Sequence, residues 1–247
     1  MQNSIPSLLR IWSDLSPQAP ALLGLGRPPL SYQRLLGQVE QVVQTLNEFG
    51  IGRSDKVAIV LENGPEMASC FLSVASGATS APLNPGCTEA EFRLYLSDLR
   101  PKAIVVAAES ASPAISVANA MGISVLRLFS CPGEPAGVFR LEGTAVACSL
   151  DRAQQGFAQP SDVALMLHTS GSTAQPRAVP LTHANLCHSA RSIGASLDLG
   201  ANDRCLNVVS LFHVHGLISA LLASLAAGAS VVCTPGFDAV SFFDWLD

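Results

Sequence analysis

Short apolar runs recur along this chain, and the intervals between them carry the three-and-four spacing of amphipathic helices. The runs are Lys56–Leu61, Ser80–Leu83, Ala103–Ala108, Ile123–Leu128, Val163–His168, Leu206–Ser210 and Val231–Thr234. A strand buried on both faces reads as a continuous apolar run, and strands joined through helices lie parallel. The pattern therefore predicts an α/β fold with mostly parallel sheets flanked by helices. Composition supplies the necessary core, with 49% hydrophobic and only 13% charged residues in a chain of 247.

Helix signals fit between the runs. Ser31 is a candidate N-cap for a helix bearing Leu35, Val39, Val42, Leu46 and Phe49, with Gly50 as its stop. Pro65 opens the next helix. After the turn Asn84-Pro85-Gly86, Thr88 and Glu91 form a capping box ahead of Phe92, Tyr95, Leu96 and Leu99. Thr182 caps a further helix, and a last one is expected over Val240–Leu246. There is no tandem repeat. Residues 130–160 are rich in Gly and Pro, so approximate subdomains 1–155 and 156–247 are expected.

Several function classes are excluded. The net charge is −5 with no basic run, which disfavours nucleic acid as a partner. The cysteines, Cys70, Cys87, Cys131, Cys148, Cys187, Cys205 and Cys233, include no CxxC pair. They suggest neither a disulfide framework nor a zinc knuckle, and fit a reducing, cytoplasmic setting. Met1–Arg10 lacks signal-peptide order. Val214–Cys233 has no charged residue and approaches the roughly 20 residues of a membrane span. Gly228 divides it, however, into a helix-like part, Leu217–Ala227, and a β-like part, so a buried helix feeding a strand is expected instead of a span.

The stretch His168-Thr-Ser-Gly-Ser-Thr-Ala-Gln-Pro-Arg-Ala-Val-Pro-Leu-Thr-His183 follows an apolar strand and precedes a capped helix, with a polar loop running to Pro180. Its hydroxyls, a glycine and Arg177 converge as a polyphosphate site requires. An ordinary polar surface turn would have the same composition. The stretch is not a Walker A loop, and the chain has neither GxGxxG nor GxSxG.

That stretch resembles the signature loop of the adenylate-forming superfamily, which includes acyl-CoA synthetases, luciferases and peptide-synthetase adenylation domains. The family pattern, Thr-Ser-Gly-Ser/Thr-Thr-Gly-x-Pro-Lys-Gly, is followed by a helix starting Thr-His-x-Asn, as at Thr182, His183 and Asn185. Val57–Gly64, Gly77–Pro85 and Leu211-Phe-His-Val-His-Gly-Leu217 resemble other family motifs in the same order. The likeness is strongest to the oxalate–CoA ligase-like branch, and spans nearly the whole chain as the N-terminal part of that fold.

The resemblance implies an acid–thiol ligase of organic or fatty acid metabolism. A carboxylate attacks ATP to give an acyl-adenylate, and coenzyme A displaces AMP. Thr169, Ser170, Gly171, Ser172 and Thr173 would hold the β- and γ-phosphates with Mg²⁺, with Thr173 on the metal side and Arg177 in the usual Lys position. His213 would line the acid site, and His215 would be structural or stand behind it; ordinary satisfied histidines at a strand–helix junction are the alternative for the pair. Zinc on the His213/His215 pair is the weaker rival. Ala174 and Ala178 replace usual glycines, which would strain the loop if φ were positive there. The Tyr-Gly-x-Thr-Glu motif, the ribose-binding Asp and the C-terminal-domain lysine do not occur before Asp247. The chain therefore reads as a cut N-terminal portion, catalytically incomplete by itself. The alternatives are a non-catalytic nucleotide-binding or scaffold module, and an adenylation domain serving a carrier protein.

Overall fold

The computed structural model describes residues 3–144, 151–169 and 177–246. Two sheets organise the chain. The strands are β1 (Pro20–Gly24), β2 (Leu30–Ser31), β3 (Lys56–Val60), β4 (Thr79–Pro82), β5 (Ala103–Ala107), β6 (Ser124–Ser130), β7 (Phe139–Glu142), β8 (Val163–Thr169), β9 (Arg177–Thr182), β10 (Arg204–Asn207) and β11 (Ser230–Cys233). The larger sheet has seven strands ordered β7-β6-β5-β3-β4-β8-β9. Its five central strands are parallel, and β7 and β9 close the edges antiparallel. The smaller sheet is ordered β10-β11-β1-β2. Each sheet takes strands from both sides of residue 155, so the 130–160 stretch is not a boundary between sheets.

The helices are α1 (Ile5–Leu15), α2 (Tyr32–Glu48), α3 (Pro65–Gly77), α4 (Glu89–Leu99), α5 (Pro113–Ala120), α6 (His183–Ser196) and the short α7 (Ala223–Ala226). Alternation along β3 explains the layering: Val57 and Ile59 join one core with α2 and α3, while Ala58 and Val60 join another with α4 and α5. Helix α3 is buried at every position from Met67 to Gly77 and touches strands of both sheets. Apolar and small residues on every side, including the buried Ser69, Ser73 and Ser76, suit a helix packed between layers.

Several sequence boundaries move. The polar loop expected to reach Pro180 ends earlier, because β9 begins at Arg177. Pro180 is tolerated because β9 is an edge strand, where a missing N–H leaves no ladder bond unmade. The expected Leu206–Ser210 strand is Arg204–Asn207. The expected Val240–Leu246 helix is a series of turns in which Asp238 accepts from the Val240 and Ser241 N–H groups. Val240, Phe243 and Leu246 stay exposed, so no packed face sustains a helix there.

The uncharged Val214–Cys233 stretch folds as eight residues of π-helix, His215–Leu222, then α7, a turn at Gly228 with φ +80°, and β11. No helix among the described residues is long and apolar enough to cross a membrane.

Candidate active site

The signature loop is the connection of a β-hairpin. Strand β8 runs out between β4 and β9, and β9 returns antiparallel with Thr169 opposite Arg177 and His168 opposite Ala178. Ser170, Gly171, Ser172, Thr173 and Ala174 lie outside the described residues. Arg177 is exposed on the far side of the hairpin mouth. Among the described residues, positive φ outside glycine occurs at Arg100 and Asp198, not at Ala178. The glycine-to-alanine departure at 178 thus carries no left-handed strain.

A cleft of about 550 Å³ lies beside that mouth. It opens outside the carboxyl ends of the parallel strands β4 and β8, where α/β sheets generally receive ligands. Leu83, Leu167, Leu181, Phe212 and Val214 make its apolar walls, and Asn84, Cys87, Glu91, Tyr95, His168 and His213 bring polar groups to it.

His213 reaches the cleft from the loop between β10 and the π-helix. It is exposed, its ring centroid is 4.5 Å from that of Phe212, and its backbone N–H donates to Ser210 O at 3.2 Å. His215 begins the π-helix, is also exposed and does not line the cleft. Among the described residues no group of three or more His, Cys, Asp or Glu side chains is placed to hold a metal.

Two features fix the loop that carries His213. Asn63, just after β3, accepts the Leu211 N–H at 2.8 Å and donates to Val209 O at 3.2 Å. Gly216 packs so tightly that a Cβ there would lie 2.4 Å from Ser210 O. The glycine of the Phe-His-Val-His-Gly segment is thus explained by close approach.

Helix α4 supplies the opposite wall. Cys87 precedes the helix, and Glu91 and Tyr95 follow at four-residue steps on one face. Hydrogen bonds from the Thr88 backbone and hydroxyl hold the Glu91 carboxyl below its usual range, so it is anionic at neutral pH. Burial, then the Glu91 charge, raises the Cys87 thiol; burial, Cys87 and Glu91 raise the Tyr95 hydroxyl. Both therefore stay protonated at neutral pH. His168 completes this wall through Asp98, whose Oδ2 lies 2.9 Å from Nε2.

Sequence reasoning singled out His213 and the loop but missed Asn63, His168 and Asp98. Asn63 and His168 stand inside quoted motifs, so position was the available signal. Asp98 is a polar residue in the last turn of α4 and stands in no motif. Thr182, His183 and Asn185 have a structural explanation. Thr182 and Asn185 form the reciprocal cap of α6, and His183 is fully buried beneath α1.

The architecture, a seven-stranded mixed sheet covered by helices with a cleft at the carboxyl ends of β4 and β8, is that of an α/β protein. Residues 9–247 match the AMP-binding enzyme family, to which the chain belongs. It is 36% identical over 250 residues to an oxalate–CoA ligase of Arabidopsis thaliana, covering 99% of this chain and 48% of that one. It is 38% identical over 216 residues to an oxalate–CoA ligase of Saccharomyces cerevisiae, covering 78% of this chain and 39% of that one. The chain thus spans less than half the length of these relatives. In fold it superimposes on the crystal structure of ATP-bound MatB from Rhodopseudomonas palustris with TM-score 0.82 and 24% identity, over 100% of this chain and 48% of that one.

Proposed function

We propose that this chain supplies the phosphate-binding hairpin and part of the acid site of an ATP-dependent acid–CoA ligase. The observation that carries this reading is the placement of the hairpin mouth, where Thr169 follows His168, at the edge of a cleft that His168 lines on one side and His213 on the other. Thr169, Ser170, Gly171, Ser172 and Thr173 are assigned to the β- and γ-phosphates. Arg177 supplies the fixed charge. A planar guanidinium in place of an ammonium keeps that charge while favouring two-point contact with phosphate oxygens.

Mg²⁺ is assigned to the nucleotide, with the Thr173 hydroxyl as its protein-side contact, by likeness to the family's loop. It would neutralise charge on the pyrophosphate leaving group. His213 orients the reacting carboxylate through its ring N–H. The acid is activated as its adenylate and passes to a thiol, that of coenzyme A by likeness to the named relatives, or of a carrier protein. A small dicarboxylate is the first substrate class to test, because two relatives are oxalate–CoA ligases. A cytoplasmic setting is part of the same reading, supported by six free cysteines among the described residues.

Acid-dependent ATP–pyrophosphate exchange by the whole protein is the test, run with oxalate, malonate, benzoate and a fatty acid. Exchange with one class, lost on Arg177→Ala, supports the reading; silence across the panel overturns it. A non-catalytic nucleotide-binding module is the second reading, favoured by Ala174 and Arg177 in place of the family's usual Gly and Lys. It predicts calorimetric binding of Mg-ATP without exchange.

A further inference from the structure

His168 is built into the wall beside the hairpin mouth in a way that core packing does not require. Its side chain is only 7% exposed. Its ring sits on Tyr95, with centroids 4.7 Å apart at 42°, and its Nε2 meets Asp98 Oδ2 at 2.9 Å. Because a carboxylate only accepts, the ring donates from Nε2. Its Nδ1 is buried and has no hydrogen-bond partner among the described residues. An unmatched buried nitrogen is a standing cost that a phenylalanine on Tyr95 would avoid. Two residues earlier on the same strand face, Met166 packs into the apolar layer of Phe92 and Leu96 with no such cost.

The location supplies the reason. His168 faces Ala178 in the last register step before Thr169 and Arg177, so its ring ties the carboxyl end of β8 to α4 where the loop departs. Tyr95 and Asp98 come from the helix that forms the opposite cleft wall. Resting on the phosphate reading above, we infer that His168, clasped by Asp98 and Tyr95, is a positioning residue for the phosphate-binding hairpin. It aligns the loop ends with the cleft and touches no phosphate itself.

The test uses the 247-residue chain and Mg-tripolyphosphate as probe, with calorimetric affinity and thermal unfolding measured in parallel. His168→Phe keeps the ring on Tyr95 and removes the link to Asp98. It is expected to unfold within a few degrees of wild type yet bind the probe about tenfold more weakly, the usual scale for losing a supporting partner of a binding group. His168→Gln retains a donor near the Nε2 position and should recover most of the affinity. Asp98→Asn, which still accepts from Nε2–H, should fall between the two.

Unchanged affinity in His168→Phe overturns the positioning role while leaving phosphate binding intact. No binding by wild type overturns the phosphate reading and this inference together. Should His168→Phe not fold, long-range ¹H–¹⁵N spectra of wild type decide: an Nε2–H ring with bare Nδ1 sustains the clasp, and an Nδ1–H ring overturns it.

Discussion

Acid should weaken this fold through His183, and the size of the effect follows from its surroundings. The ring is fully buried, and its Nδ1 accepts the Ile5 N–H at 3.2 Å, tying the start of α1 to the start of α6. Desolvation pulls its pKa from 6.5 down to about 4, against opposing contributions from the Ala75 backbone and Asp162. Between those values the unfolded chain binds a proton that the folded chain refuses. The stability contributed by the neutral ring is therefore complete above the unfolded pKa and is lost as pH falls toward the folded one. Going from pH 7.5 to pH 5 should cost about 2 kcal/mol through this residue alone. The check is urea unfolding across that range for wild type and His183→Asn, whose side-chain oxygen can replace Nδ1 as acceptor. The other titrating groups are common to both proteins, so the difference between their pH profiles isolates His183. Wild type should lose about 2 kcal/mol more than the variant; parallel profiles would refute the assignment of a buried, neutral ring.

The Asn63 clamp should matter as much to the site as to stability. Asn63→Ala leaves the Leu211 N–H without its acceptor and should cost about 1–3 kcal/mol in denaturant unfolding, with acid-dependent exchange in the whole protein falling further than thermal stability. Gly216→Ala forces a methyl into Ser210 O and should destabilise by about 1–3 kcal/mol or more, measured by thermal unfolding, with the His213 imidazole resonances displaced. Arg177→Ala should weaken Mg-ATP binding about tenfold to a hundredfold, read by calorimetry, with little change in melting temperature because the side chain is exposed.

Much of the frame was legible because its signals are local. The β3 and β5 runs are apolar on both faces, and both faces are covered along nearly their whole length. The Thr88–Glu91 and Ser31 caps form where the sequence put them. Elements whose evidence is tertiary were not legible. Strand β1 is defined by pairing with β11, about two hundred residues away in sequence. The Val240–Leu246 periodicity found no partner face and yielded turns. The Gly/Pro content of residues 130–160 concealed β7, which exists because β6 offers it an antiparallel edge. The site divides the same way. The loop and His213 stand in motifs that can be read along the chain, whereas the Asp98–His168 contact joins residues seventy positions apart.

That division follows from how the cleft is built. His213 stands on the loop leaving β10, an edge strand of the four-stranded sheet, whereas His168, Leu167 and the hairpin mouth belong to the seven-stranded sheet. The cleft's geometry therefore depends on how the two sheets are held together. The buried helix α3 lies between them, and Asn63, at its approach from β3, hydrogen-bonds directly to the backbone that presents His213. A substitution at Asn63 would leave each sheet's own ladder intact while releasing one wall of the cleft from the other. The two clamps then predict different losses. Loosening Asn63 should impair the acid more than the nucleotide, because it frees the wall bearing His213. Loosening His168 should impair the nucleotide more than the acid, because it frees the mouth bearing Arg177. Measuring the KM values for acid and ATP separately in the two variants would show whether the walls act independently; equal losses of both in each variant would mean that they move as one body.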